Sequence, residues 1–266
     1  MDFRKKVNET FLNISKSLQR GLNNNDNTRA VFVVGNQRSG TTMLLEHLNK
    51  HIDIDVFQEV SKAMKDYIIK SNEDITNILK QSRASVAIFK PLEDSHKIKE
   101  LLNDFKDSKS IWMFRNYHDV LNSSLKKGWG NHLKEYVNKI NDEFYFNYSE
   151  PLNLTRENVE LVQKLYHENI SEENCAAIIW YLRNTIYFDQ KLGEDERMLL
   201  VNYEKLVKDA EIEMNNILNF MELKQVDLHH GVHKMSIRKD MQKELDPHIN
   251  KICNEMYLKL LTELKS

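Results

Sequence analysis

Apolar positions along this chain fall into two alternating rhythms. Ala30-Val31-Phe32-Val33-Val34-Gly35 is an unbroken apolar run ending in glycine, the pattern of a strand buried on both faces of a parallel sheet. After a polar loop, Met43-Leu44-Leu45-Glu46-His47-Leu48 continues at helical spacing. The exchange recurs downstream, with strands predicted at Ile54–Phe57, Ser85–Phe89, Ser110–Phe114 and Arg197–Val201. Helices are predicted through the sixties and seventies, over Ser95–Phe105 and Val120–Lys127, across about 131–192, over 208–222 and near 247–264. Strands alternating with helices make βαβ units, so the expected class is α/β, a central parallel sheet flanked by helices in three layers, with a helical insertion. No repeat and no Pro-, Gly- or Ser-rich linker divides the 266 residues. One domain is expected: a helix and linker over 1–29, a core over 30–222 with its insertion at about 131–192, and a C-terminal loop and helix over 223–266.

Composition sharpens this picture in two ways. Only 7 Gly and 3 Pro occur, where average usage gives about 19 and 13, so connections are short and any glycine cluster stands out. The balance of 38 Lys and Arg against 40 Asp and Glu, a net charge of −2, argues against a nucleic-acid coat or a polybasic membrane protein while leaving room for one local basic pocket. No run approaches ~18 apolar residues, and the charged, amphipathic start of the chain has no signal-peptide core. Cys175 and Cys253 form neither a disulfide framework nor a zinc constellation. A glycan at the sequon Asn122-Ser123-Ser124 would fall inside a motif described below. A cytoplasmic protein is expected, without membrane or nucleic-acid partners.

Glycines cluster where the first strand ends. Gly35-Asn36-Gln37-Arg38-Ser39-Gly40-Thr41-Thr42 leads straight into a helix, a P-loop-like arrangement that aims backbone N–H groups and a helix N-terminus at phosphate. The spacing is that of G-x-x-x-x-G, yet Thr41 stands where a nucleoside-triphosphatase loop carries Lys. Arg38 supplies a different cation inside the loop.

Gln37-Arg38-Ser39-Gly40-Thr41-Thr42 resembles the 5′-phosphosulfate loop of sulfotransferases that use 3′-phosphoadenosine 5′-phosphosulfate (PAPS). Two further elements are similar to that family in the same order. Trp112-Met113-Phe114-Arg115-Asn116-Tyr117-His118-Asp119-Val120-Leu121-Asn122-Ser123 carries Ser123 eight residues after Arg115, with Tyr117 in place of the usual Pro. Leu200-Val201-Asn202-Tyr203-Glu204-Lys205-Leu206 is similar to the family's Tyr-Glu-x-Leu segment. The resemblance implies that Gln37, Arg38, Ser39, Gly40, Thr41 and Thr42 hold the 5′-phosphate end, and that Arg115 with Ser123 holds the 3′-phosphate. Ser124 is an alternative to Ser123. The basic Arg238 and Lys239 would return to the same phosphate.

The resemblance also implies the catalytic set. Lys90, ending the strand Ser85–Phe89, matches a family lysine, but the histidine two residues on is absent. Glu59 follows the second strand, where tyrosylprotein and some carbohydrate sulfotransferases carry a carboxylate base, and its spacing of 21 residues after Arg38 resembles that of the tyrosylprotein enzymes' catalytic Glu. Glu59, Lys90 and Arg38 are therefore the expected catalytic residues, with His96 as the reserve base. The implied reaction transfers sulfonate from PAPS to a hydroxyl of a small-molecule or carbohydrate acceptor, leaves PAP and uses no metal. An ATP/Mg-dependent P-loop kinase or nucleotidase and a non-catalytic nucleotide-binding module stay open at this point, as does a homodimer. His229-His230-Gly231-Val232-His233 reads as a loop over the acceptor site rather than a metal centre, and Trp180, Tyr181 and Tyr187 as core.

Overall fold

The computed structural model describes residues 16, 20, 27–58, 61, 63–65, 67–142, 152, 154–232 and 244–264. Five strands form one parallel sheet: β1 (Arg29–Gly35), β2 (Ile54–Phe57), β5 (Val86–Phe89), β6 (Lys109–Phe114) and β7 (Met198–Asn202), in the order β2-β5-β1-β6-β7. Alternation along the buried strands sorts their side chains to two cores. Ala30, Phe32, Val34, Phe89, Trp112 and Phe114 face one layer, while Val31, Val33, Ile88, Ile111 and Met113 face the other, as a period of two requires when both faces are covered.

The second layer is closed by α1 (Thr41–Leu48), through Leu44, Leu45 and Leu48, and by α9 (Ala210–Phe220), through Met214, Ile217 and Leu218. The first is closed by α2 (Asn72–Gln81), α3 (Ile98–Asp104), α4 (Tyr117–Lys126) and the insertion. That insertion comprises α5 (Gly130–Asn141), α6 (Arg156–Leu165) and α7 (Glu172–Asp189), with α10 (Pro247–Thr262) packed on α7. Twelve of the 18 residues of α7 are buried, so the apolar run from Cys175 to Tyr187 is a central helix rather than an amphipathic surface one. A short helix, α8 (Tyr203–Lys208), follows β7 directly.

Two predicted elements change. The helix expected through the sixties and seventies is confined to α2, and a two-stranded antiparallel hairpin, β3 (Met64–Lys65) and β4 (Ile68–Ile69), precedes it. Tyr67 turns this hairpin with φ of +67°, and the Ser71 hydroxyl accepts from the Asp74 N–H at 3.1 Å to start the helix, a cap and first-turn acid that mark an N-terminus. The helical stretch expected at about 131–192 divides, among the described residues, into three helices, with Thr155 and Ser171 capping the second and third. Among the described residues no helix is long and apolar enough to cross a membrane.

Candidate active site

Register places the functional ends of the strands together. Gly35 pairs with Met113, Phe57 with Phe89, and Phe114 with Asn202. The residues that follow, including Lys90, Arg115 and Tyr203, therefore emerge along one carboxyl edge of the sheet, where open α/β sheets bind ligands.

The glycine loop fills the centre of that edge. Gly35 and Gly40 adopt φ of +112° and +89°. A Cβ on Gly35 would lie 2.3 Å from the Met113 carbonyl oxygen, and one on Gly40 2.3 Å from the Tyr203 ring. Both glycines are thus required by positive φ and by close approach. Arg38 itself takes φ of +65°, a sparsely populated conformation for a side-chain-bearing residue, of the kind that collects at ligand sites. No side chain among the described residues caps the N-terminus of α1. The Ser39 hydroxyl is buried and has no hydrogen-bond partner among the described residues. An uncapped helix start beside an unsatisfied buried hydroxyl fits a bound phosphate.

Two cationic groups flank the loop. On one side Arg115, 4% exposed, donates to the Arg38 carbonyl at 3.4 Å and pairs with Asp119 at 3.5 Å. Its guanidinium lies 4.3 Å from the centre of the Tyr203 ring. The Arg38 Nε donates to the Ser123 hydroxyl at 2.9 Å, and its guanidinium carbon is 5.6 Å from the Trp129 ring. The loop, Arg115 and Ser123 are therefore one constellation. Ser124 turns away, donating to the Val120 carbonyl at 2.9 Å within its own helix. On the other side Lys90, 1% exposed, donates to Thr42 at 2.9 Å and sits 5.3 Å from the Tyr67 ring centre.

Tyr203 and Glu204 show why the third motif accompanies the first two. Tyr203 is wedged between Gly40 and Arg115. Glu204 accepts from the Asn116 N–H at 3.0 Å, the Asn202 amide at 2.8 Å and the Tyr257 hydroxyl at 3.3 Å, with Arg115 at 4.0 Å. A single carboxylate thus ties together the ends of β6 and β7 and α10. Tyr117 occupies the first turn of α4 behind the Asn116 cap, the helical position where proline is favoured, so the motif survives without it.

The other sequence-predicted residues divide. Glu59, Arg238, Lys239 and His233 lie outside the described residues. His96 sits on a short 3₁₀ turn, with Nδ1 3.1 Å from the Glu93 carbonyl oxygen. Burial holds its pKa below the ordinary histidine value. The loop carrying His229 and His230 corrects the expectation of an acceptor cover. The Leu228 carbonyl meets His47 Nδ1 at 2.8 Å, and Lys50 donates to the His230 carbonyl, so this segment lies at the C-terminal end of α1, the end opposite the anion loop. His229 Nδ1 and His230 Nε2 each stand 2.8 Å from an oxygen of Asp227.

A cavity of about 630 Å³ opens beside the loop, bordered by Asn36, Gln37, Tyr67, Trp129, Trp180 and Arg183. Trp180 is buried as expected, but it also forms part of this wall. Gln37 donates to one oxygen of Glu93, and Arg183 donates to the other at 2.7 Å. Arg183 also holds the Leu92 carbonyl at 3.0 Å. Glu93 and Arg183 escaped the sequence reading. The signal was there, since Arg183 is the one charge between Asn174 and Phe188 in an otherwise buried helix, and such a charge is kept only with a partner.

Residues 28–246 match the family model described as the sulfotransferase domain, so this chain belongs to the sulfotransferase family and is a sulfotransferase enzyme. Its family takes sulfonate from PAPS. A search of curated protein sequences finds no match. Among solved structures, the chain is similar to the sulfotransferase domain from the curacin biosynthetic pathway, with 12% identity over 86% of this chain and 98% of that one and a TM-score of 0.53. It is also similar to the sulfotransferase domain from the Synechococcus PCC 7002 olefin synthase, with 15% identity over 90% and 94% of the two chains and a TM-score of 0.50. At such identities the likeness is one of fold.

Proposed function

We propose that this enzyme transfers the sulfonate of PAPS to a hydroxyl of a small-molecule or carbohydrate acceptor, with Glu59 as general base. The observation that carries this reading is the pair of buried cations, Arg115 and Lys90, flanking a glycine loop that itself carries Arg38 and whose helix start no described side chain caps. When bound, PAPS supplies a sulfur centre with PAP as its leaving group. The loop from Gln37 to Thr42 holds the 5′-phosphate end, while Arg115 and Ser123 hold the 3′-phosphate, the group that separates PAPS from ATP. A guanidinium suits that role because its planar fork meets phosphate oxygens in pairs.

The acceptor oxygen forms its bond to sulfur as the bond from sulfur to the 5′-phosphate oxygen breaks. That oxygen keeps the electron pair, and the acceptor proton passes to Glu59. Lys90 and Arg38 place positive charge where negative charge grows on the sulfonate and departing phosphate, the electrostatic contribution that dominates many group transfers. No step needs a metal. Glu59 is favoured as base because it follows the end of β2 by two residues in the sequence, and β2 ends with Phe57 paired to Phe89, the residue before Lys90. His96, held against the Glu93 carbonyl, does not border the cavity. A cytoplasmic site of action agrees with two free, buried cysteines.

Glu59→Gln tests the base. Turnover, followed as PAP release, is expected to fall about 10²–10⁴-fold, the usual contribution of a general base, with PAP affinity retained. His96→Asn should keep near-native turnover. A Glu59→Gln enzyme with native turnover would remove Glu59 from the mechanism.

A further inference from the structure

The cavity beside the loop is asymmetric along its length, and the asymmetry bears on the acceptor. Its reacting end is marked by Tyr67 against Lys90, by Gln37 from the loop and by Trp129 against Arg38. Trp129 is the residue from which α5 departs. His132, Tyr136 and Lys139 follow it along the wall of the cavity, at spacings of four and three that set them on one face of the helix. A rise of 1.5 Å per residue puts the Lys139 Cα about 15 Å from that of Trp129, and helical side chains lean back toward the N-terminus, the direction of the reacting end.

Charge is matched at one end and unmatched at the other. Arg183 is paired with Glu93 at 2.7 Å. Lys139 has no ion-pair partner among the described residues, and Glu93 is the only acidic side chain of the described lining. Between the two ends the wall is apolar and aromatic, with Val120, Leu133, Ala176 and Ile179 beside the Tyr136 and Trp180 rings. Few of these groups can satisfy the many hydroxyls of a neutral sugar, and a buried hydroxyl left without a partner is costly.

Resting on the sulfotransferase reading of this site, we infer that the acceptor is an amphiphilic hydroxy acid. Its hydroxyl enters at Gln37 and Lys90, an aromatic or acyl body lies against Trp129, Tyr136 and Trp180, and an anionic group at the far end of the wall, roughly three helical turns along α5 from Trp129, meets Lys139 with His132 beside it. The volume of about 630 Å³ lies within the range of pockets that enclose such molecules.

Calorimetric titration of the PAP-saturated protein with 6-hydroxy-2-naphthoate and with 2-naphthol tests this assignment apart from the chemical step. The carboxylate is expected to bind about tenfold tighter or better, the scale of one charge-assisted contact. Lys139→Gln should shrink that preference to about threefold or less, and Lys139→Arg should restore most of it. Equal binding of the two ligands, binding of neither, or a preference that survives Lys139→Gln would overturn the inference. The same titration without nucleotide reads the cavity by itself. Failure of PAP to bind would count against the donor assignment, whereas loss of the carboxylate preference counts against the acceptor alone.

Discussion

Arg115 is held from four directions before any ligand arrives. Asp119 and Glu204 balance its charge, the Tyr203 ring covers one face, and the Arg38 carbonyl accepts one N–H. A guanidinium fixed this way loses little freedom when it meets a phosphate, which favours binding. Arg115→Lys keeps the charge but loses the planar fork, so PAP affinity should drop about 10–100-fold while the fold persists. Calorimetry with PAP, beside a native circular-dichroism spectrum, checks this; unchanged affinity would separate Arg115 from the nucleotide. The sequence motif alone already singled out Arg115 and a serine at 123 or 124 as candidates. It left Ser123 and Ser124 unresolved, because that choice depends on which hydroxyl turns back to its own helix, as Ser124 does toward Val120. The grip of Glu204 was not legible either, since two of its partners, Asn116 and Tyr257, lie 88 and 53 residues away in the chain and meet it only through tertiary packing.

At the scale of elements, the join between β1 and α1 decides whether the site exists. Gly40 lets the chain turn at φ +89° under the Tyr203 ring, and a methyl there brings both backbone strain and a clash. Gly40→Ala is expected to destabilise the protein by about 1–3 kcal/mol and to weaken PAP binding, because relief of the clash moves either the loop or Tyr203. Urea denaturation gives the first quantity, and unaltered stability would contradict the packing described. The strand-loop-helix unit was readable because local periodicity and glycine placement specify it. The β3–β4 hairpin was not, since its strands are two residues each and its turn is closed by Tyr67 rather than by glycine or asparagine. The starts of α6 and α7 are marked by the caps at Thr155 and Ser171, which the expectation of a helical stretch did not single out.

For the whole molecule, the order β2-β5-β1-β6-β7 puts β1 at the centre and brings residues from four distant segments to one edge. Fold class followed from alternating periods, and strand order did not, because pairing of parallel strands is set by long-range packing. The net charge of −2 conceals the local positive site of Arg38, Lys90 and Arg115, which is visible only once the strands are paired. Donor recognition is the central claim, and thermal melting with PAP, with ATP–Mg and without ligand tests it most directly. A ligand at 100 times its Kd that binds only the native state adds about 2.7 kcal/mol, or on the order of 5–10 °C for a chain of this size. PAP is expected to raise the midpoint by that amount and ATP–Mg to leave it nearly unchanged; a shift with ATP–Mg and none with PAP would contradict the account.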